Sequence, residues 1–90
     1  MNDSIAFPCP CCSYLTLSEP AQGTFEICPV CFWEDDGLQL KDPNYAGGAN
    51  AVSLNQAKKN FHKFGASEKR FIKNVRPPHP EEIPDAEKKE

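Results

Sequence analysis

Ninety residues, 39% of them apolar and 26% charged, make one domain at most, and so short a chain buries too little apolar surface to outweigh its own entropy comfortably. The composition excludes a fully disordered chain, and no apolar run is long enough to cross a membrane. The net charge of -3 hides a segregation: residues 1–50 carry seven acids against one base, residues 51–76 one acid against seven bases, and residues 77–90 five acids against two bases.

The opening stretch, MNDSIAFPC, has neither a basic region nor an apolar one before its first cysteine, so no secretory signal is expected and the chain is placed in the cytoplasm. A reducing compartment keeps thiols from persisting as structural disulfides, and the five cysteines are read as metal ligands with one left over. After the first cluster, YLTL and TFEI alternate polar and apolar residues, which places Leu15, Leu17, Phe25 and Ile27 on one face of a small antiparallel sheet, with SEPAQG turning between them. The second cluster runs into FWEDDGLQL, where Asp36-Gly37 is positioned to turn the chain back into another strand.

KDPNYAGGAN reads as a loop. A helix follows: Ser53 caps it with Gln56 three residues on, Leu54, Ala57, Phe61 and Phe64 recur at helical spacing, and Gly65 ends it. A shorter second helix is expected after Ser67, burying Phe71 and Val75 and stopped by Pro77 and Pro78. From Pro77 the chain has almost nothing to bury, and residues 77–90 are expected as an extended, fraying, acidic tail on a single domain of residues 1–76.

Superposing Cys9-Pro10-Cys11-Cys12 on Cys28-Pro29-Val30-Cys31 gives C-x2-C-x15-C-x2-C, the spacing of a four-cysteine zinc site. Two residues between sulfurs allow a tight turn that aims both thiolates at one point, and the proline pre-sets φ for that turn. The expected ligands of Zn2+ are Cys9, Cys12, Cys28 and Cys31. Cys11 lies opposite Val30 and is the spare thiol, read as a small apolar filler or an inert exposed group rather than as a redox or exchangeable thiol. Four sulfurs close the tetrahedron and leave no position for water, so catalysis at the metal is not expected; iron is the chemical alternative in the same cage.

These residues carry a resemblance. With CPCC at residues 9–12, ICPVCFWEDD at 27–36, GGAN and SL within 47–54, NFHKFGA at 60–66 and VRPP at 75–78, the chain resembles the bacterial cysteine-rich CPCC family. The resemblance implies a short zinc-binding protein with ligand roles for Cys9, Cys12, Cys28 and Cys31, and little beyond that. Ser13 and Phe32 follow the second cysteine of each pair, where zinc knuckles commonly use glycine.

Other constellations have plainer readings. Glu34, Asp35 and Asp36 are expected as a solvated turn rather than as paired carboxylates or a second cation site. Trp33 belongs in the core, and neither His62 nor His79 is a catalytic candidate. Lys58, Lys59, Lys63, Lys69, Arg70, Lys73 and Arg76, interleaved with Phe61, Phe64 and Phe71, match a solvated helix face over a buried stripe; a phosphate-binding surface is the competing reading. The sequence therefore describes an α+β domain: a small zinc-ribbon-like antiparallel sheet with two cysteine knuckles, covered by one or two C-terminal helices. Its expected role is structural zinc binding that presents a surface to another macromolecule, a protein first. The alternatives are a nucleic-acid-binding zinc ribbon using residues 58–76, and a metal-dependent hydrolase or redox protein.

Overall fold

The computed structural model describes residues 6–84; residues 1–5 and the tail end, 85–90, lie outside the described residues. Two antiparallel strands, β1 (Phe7–Pro8) and β2 (Leu15–Leu17), bracket the first cysteine cluster, with Phe7 opposite Leu17 and Pro8 opposite Leu15. Leu17 is buried and Leu15 half-buried, as the alternation requires.

TFEI does not extend this sheet. Phe25 donates its N–H to the Asp35 carbonyl while Asp35 donates to the Glu26 carbonyl, so two residues face one. Phe25 takes a left-handed φ of 62°, and the resulting bulge destroys the period of two that would have put its side chain inside. Phe25 and Ile27 are 58% and 46% exposed, and among the described residues this ladder continues as the isolated Ile27–Glu34 bridge.

Asp36-Gly37 does not make a hairpin either. The Asp36 carboxylate accepts from the N–H groups of Leu38 at 2.8 Å and Gln39 at 3.3 Å, which caps a short helix, α1 (Gly37–Lys41). An aspartate that can satisfy two orphan donors in this way favours helix initiation over a turn between strands. The loop after α1 is organised by Gln39, which is fully buried. Its amide nitrogen donates to the carbonyls of Tyr45, Asn50 and Val52 at 3.0–3.1 Å, and its amide oxygen accepts from both the backbone and side-chain nitrogens of Asn50. Asn50 then completes a two-way bond to the backbone of Glu34, at 2.9 and 2.8 Å. Gly48 lets the loop close over this pair: a Cβ there would lie 2.5 Å from Asp36 Oδ2 and 3.0 Å from the Gln39 side-chain carbon. Both neighbours are held by hydrogen bonds and have nowhere to go, so Gly48→Ala is expected to cost about 2–3 kcal/mol in a urea unfolding curve.

The main helix, α2 (Leu54–Phe64), begins and ends as read from the sequence. Ser53 accepts from the Gln56 N–H at 3.1 Å, and Gly65 closes it at φ 85° with its N–H on the Phe61 carbonyl. Leu54 and Ala57 are fully covered, and Phe61 and Phe64 half-buried. The expected second helix is instead a 3-10 turn, Lys69–Asn74, and Phe71 and Val75 are half-buried rather than core residues. Both flanks of the turn are tied to the second cysteine turn: Ser67 donates to the Cys31 carbonyl and Arg76 to the Pro29 carbonyl.

Residues 77–84 do not run free. Pro80–Glu82 forms a second 3-10 turn packed beside β2. The Arg76 guanidinium grips Glu82 through two bonds of 2.9 and 2.8 Å, and the His79 N–H adds a third at 2.7 Å. Arg76 accordingly holds the Glu82 carboxyl down, to about 2.

Cys9, Cys11, Cys12, Cys28 and Cys31 make up half of the buried core, joined by Leu17, Val30, Trp33, Leu54 and Ala57. The fold class is the one read from the sequence, an α+β zinc-ribbon-like domain with a two-stranded antiparallel sheet. Among the described residues no helix is long and apolar enough to cross a membrane.

Candidate metal centre

The two cysteine turns are built alike, bond for bond. Ser13 donates to the Cys9 carbonyl at 2.8 Å and Phe32 to that of Cys28 at 2.7 Å; Cys9 donates to Tyr14 and Cys28 to Trp33, both at 2.9 Å. The third residue of each turn points its N–H at the first sulfur, Cys11 to Cys9 Sγ and Val30 to Cys28 Sγ, each at 3.4 Å. Ser13 and Phe32 then turn left-handed, at φ 72° and 71°. The knuckle backbone is thus formed without the customary glycines, at a conformational cost of about 1–2 kcal/mol per position.

The Sγ atoms of Cys9, Cys12, Cys28 and Cys31 all lie within 4.8 Å of one another, and all four residues are buried. Cys9 and Cys31 are 3.6 Å apart across the two turns, and Cys12 and Cys28 are 3.7 Å apart. A tetrahedron with metal–sulfur bonds of about 2.3 Å has edges of about 3.8 Å, so these separations are the ones a bound ion needs. All five cysteines are free of disulfides.

Electrostatics point the same way. The Cys28 thiol is pulled down, first by its bond with Cys12 and further by the Thr16 hydroxyl, which donates to its sulfur at 3.0 Å. The bond with Cys28 pushes Cys12 up, and Cys11 followed by Cys12 pushes Cys31 up. Bare, the cluster favours a thiolate at Cys28 beside protonated Cys12 and Cys31; a divalent cation at its centre is what allows four sulfurs to ionise together. The donor set and its spacing therefore fit a metal ion. Thr16 was not legible as a participant, since its pattern in the sequence is only that of a strand residue.

Cys11 is buried within the same core but is not one of the four clustered sulfurs. Its counterpart in the other turn is buried Val30, which supports a filling role. Cys11→Ser is expected to keep one equivalent of bound metal and to lower stability by about 1 kcal/mol, checked by elemental analysis and thermal melting. Loss of the metal would move the ligand assignment to Cys11.

The acidic run is not a solvated turn. Asp35 is 1% exposed and Asp36 9%, and each carboxylate is committed to backbone donors. Asp35 Oδ2 accepts from the N–H groups of Gln22, Gly23 and Thr24 at 2.9–3.0 Å and from the Thr24 hydroxyl at 2.9 Å. Burial alone would raise its pKa, but the four donors prevail and lower it. The Ala49 N–H, at 2.8 Å, leads the donors that lower Asp36. Both carboxylates hold loops against the metal-bearing turn. Glu34 stays half-buried, with its backbone taken by Asn50.

Trp33, as expected, is fully enclosed, at 1% exposure. His62 and His79 are exposed, and neither belongs to the group of four sulfurs, though His62 lines an open pocket together with Cys11 and Cys12. Lys58, Lys59, Lys63, Lys69, Arg70 and Lys73 are exposed, but two of the three aromatic rings between them are occupied. Phe61 stands edge-on to Tyr14 at 6.2 Å, and Phe71 packs on Phe32 at 4.7 Å under the Arg70 guanidinium.

Comparison with protein families matches the cysteine-rich CPCC model over residues 7–82. The chain belongs to the cysteine-rich CPCC family. The match spans both knuckles, both helices and the docked segment through Glu82, so the region that forms this CPCC fold is the region that defines the family. Comparison with curated proteins gives no match.

Proposed function

We propose that this CPCC protein is a structural zinc protein of the cytoplasm, with Cys9, Cys12, Cys28 and Cys31 as the ligands of one Zn2+, and that the fold so held serves recognition of another protein. One observation carries the proposal: four buried sulfurs from two remote turns, with cross-turn pairs at 3.6 and 3.7 Å, occupy the middle of a core too small to stand alone. Zinc supplies a tetrahedral, redox-inert crosslink in such a cage. Around it, the N–H groups of Cys11 and Val30 and the hydroxyl of Thr16 spread the negative charge of the thiolates. The closed donor set leaves the metal no position for substrate, which favours a binding role over hydrolysis.

Protein is favoured over nucleic acid as the partner because Phe61 and Phe71 are packed against other rings, and because Arg70 and Arg76 are paired with Glu68 and Glu82. Elemental analysis with thiol counting tests the first part, with one zinc per chain and one thiol outside the cluster as the expected result. Affinity capture under native conditions tests the second: a specific protein partner supports it, and salt-sensitive binding to RNA or DNA in its place replaces it.

A further inference from the structure

Among the described residues, three other than glycine hold a left-handed backbone: Ser13, Phe32 and Phe25. The first two are accounted for by the knuckles. Phe25 is not. It stands first in the bulge facing Asp35, the position where a left-handed residue is normally glycine, and its ring is 58% exposed. A strained backbone that delivers a large apolar ring into solvent gains the fold nothing, which marks Phe25 as presented rather than packed.

It is presented rigidly. The Asp35 carboxylate fixes the backbone of residues 22–24, and Thr24 Oγ1 accepts from the Glu26 N–H at 3.2 Å. The backbone of Gly37 lies against Gln22 and Gly23, which brings the start of α1, and with it Leu38, alongside the same loop. Leu38 is 55% exposed and Ile27, two residues beyond Phe25, 46%. Glu26 lies between Phe25 and Ile27 with its carboxylate accepting from Ser18, Glu34 faces Ile27 across the bridge, and the Asp42 N–H bonds the Leu38 carbonyl, with Lys41 as the one base in that stretch. The inverse pattern occurs on the 3-10 turn Lys69–Asn74: Ile72 is 44% exposed, with exposed Lys69 and Lys73 on the same turn.

We propose that Phe25, Ile27 and Leu38 form a docking patch for a second copy of this chain, which offers Ile72 flanked by Lys69 and Lys73. The patch deepens the protein-recognition reading and rests on it. Apolar anchors would be enclosed by opposite charges from the two copies, and the rigid loop keeps the ordering cost low. Donor and acceptor are different surfaces, so the contact is head-to-tail and its products need not stop at a dimer.

Sedimentation equilibrium of the zinc-loaded full chain, from roughly ten micromolar to roughly one millimolar, tests the proposal, since so small a contact is weak. The expected result is an average mass that rises with concentration and falls back toward the monomer as salt is added. Phe25→Gly is the decisive variant: it is expected to hold the chain monomeric without lowering its melting temperature, and to raise that temperature by up to about 5 °C, because glycine relieves the left-handed strain. Ile72→Ser, on the other surface, is expected to abolish association as well. A parent chain monomeric throughout, a Phe25→Gly chain that melts lower, or association that survives both substitutions would each overturn the proposal. A monomeric chain that binds a different basic protein through Phe25 would overturn the second copy as occupant while leaving protein recognition standing.

Discussion

Removing the metal is expected to unfold the chain. A chelator strong enough to strip four thiolates is expected to abolish the near-ultraviolet signal of Trp33 and to shift its emission to the red, because this single tryptophan is 1% exposed in the fold. The size of the effect follows from what is lost. Half of the core cluster is cysteine, and four of those sulfurs would be left as crowded thiols or thiolates with no cation between them. Binding energy of about 10–16 kcal/mol in small zinc-folded peptides exceeds the entire stability of about 5–15 kcal/mol that ordinary domains possess. Cys28→Ser is expected to reproduce the chelated state, since Cys28 also organises the Val30 N–H and the Thr16 hydroxyl around its sulfur. Circular dichroism with and without added zinc reads both experiments. A chain that keeps its tertiary signal after the metal has gone would show that the core stands without it.

The second large effect is expected at Asp35, far from the sulfurs in chemistry but adjacent in the chain. Asp35→Ala leaves three backbone donors and one hydroxyl of the part-buried 22–24 loop without their buried acceptor, and is expected to cost about 2–4 kcal/mol by urea unfolding. Asp35→Asn keeps an acceptor oxygen but loses its charge, and is expected to cost about half as much. The sign of the pH dependence separates charge from shape. The folded pKa of Asp35 lies below its unfolded value, so its stabilisation is complete above about pH 4 and is lost as pH falls through the folded value. Acid also releases the metal on which the fold depends, so parent and Asp35→Asn are compared only where both keep it, and the gap should begin to narrow as the pH approaches about 4. A gap that stays constant would mean that the carboxylate acts through shape alone.

What the sequence made legible was whatever is specified by near neighbours. The two C-P-x-C turns display their ligands at fixed spacing, and Ser53, Gln56 and Gly65 are capping signals that act within one helical turn. The misreadings share a cause, which is a partner remote in the chain. Asp36-Gly37 looks like a hairpin turn, but Ala49, thirteen residues away, joins the local donors Leu38 and Gln39 on the same carboxylate. TFEI alternates like a strand, yet the backbone of Asp35 draws Phe25 into a bulge. Gln39 and Asn50 carry no signature in a single sequence because their partners are backbone carbonyls and amides six to sixteen residues distant. The segment after Pro77 appeared to have nothing to bury, and is held instead by one arginine–glutamate fork. Composition does not encode that pairing.

The central claim is that a single ion, surrounded by four sulfurs and nothing else, holds two remote turns together. X-ray absorption at the zinc edge of the purified protein tests it most directly. The expected spectrum has one shell of four sulfur atoms at about 2.3 Å, with no oxygen or nitrogen in it. A shell containing a light atom, fewer than four sulfurs, or no bound metal in folded protein would contradict the account.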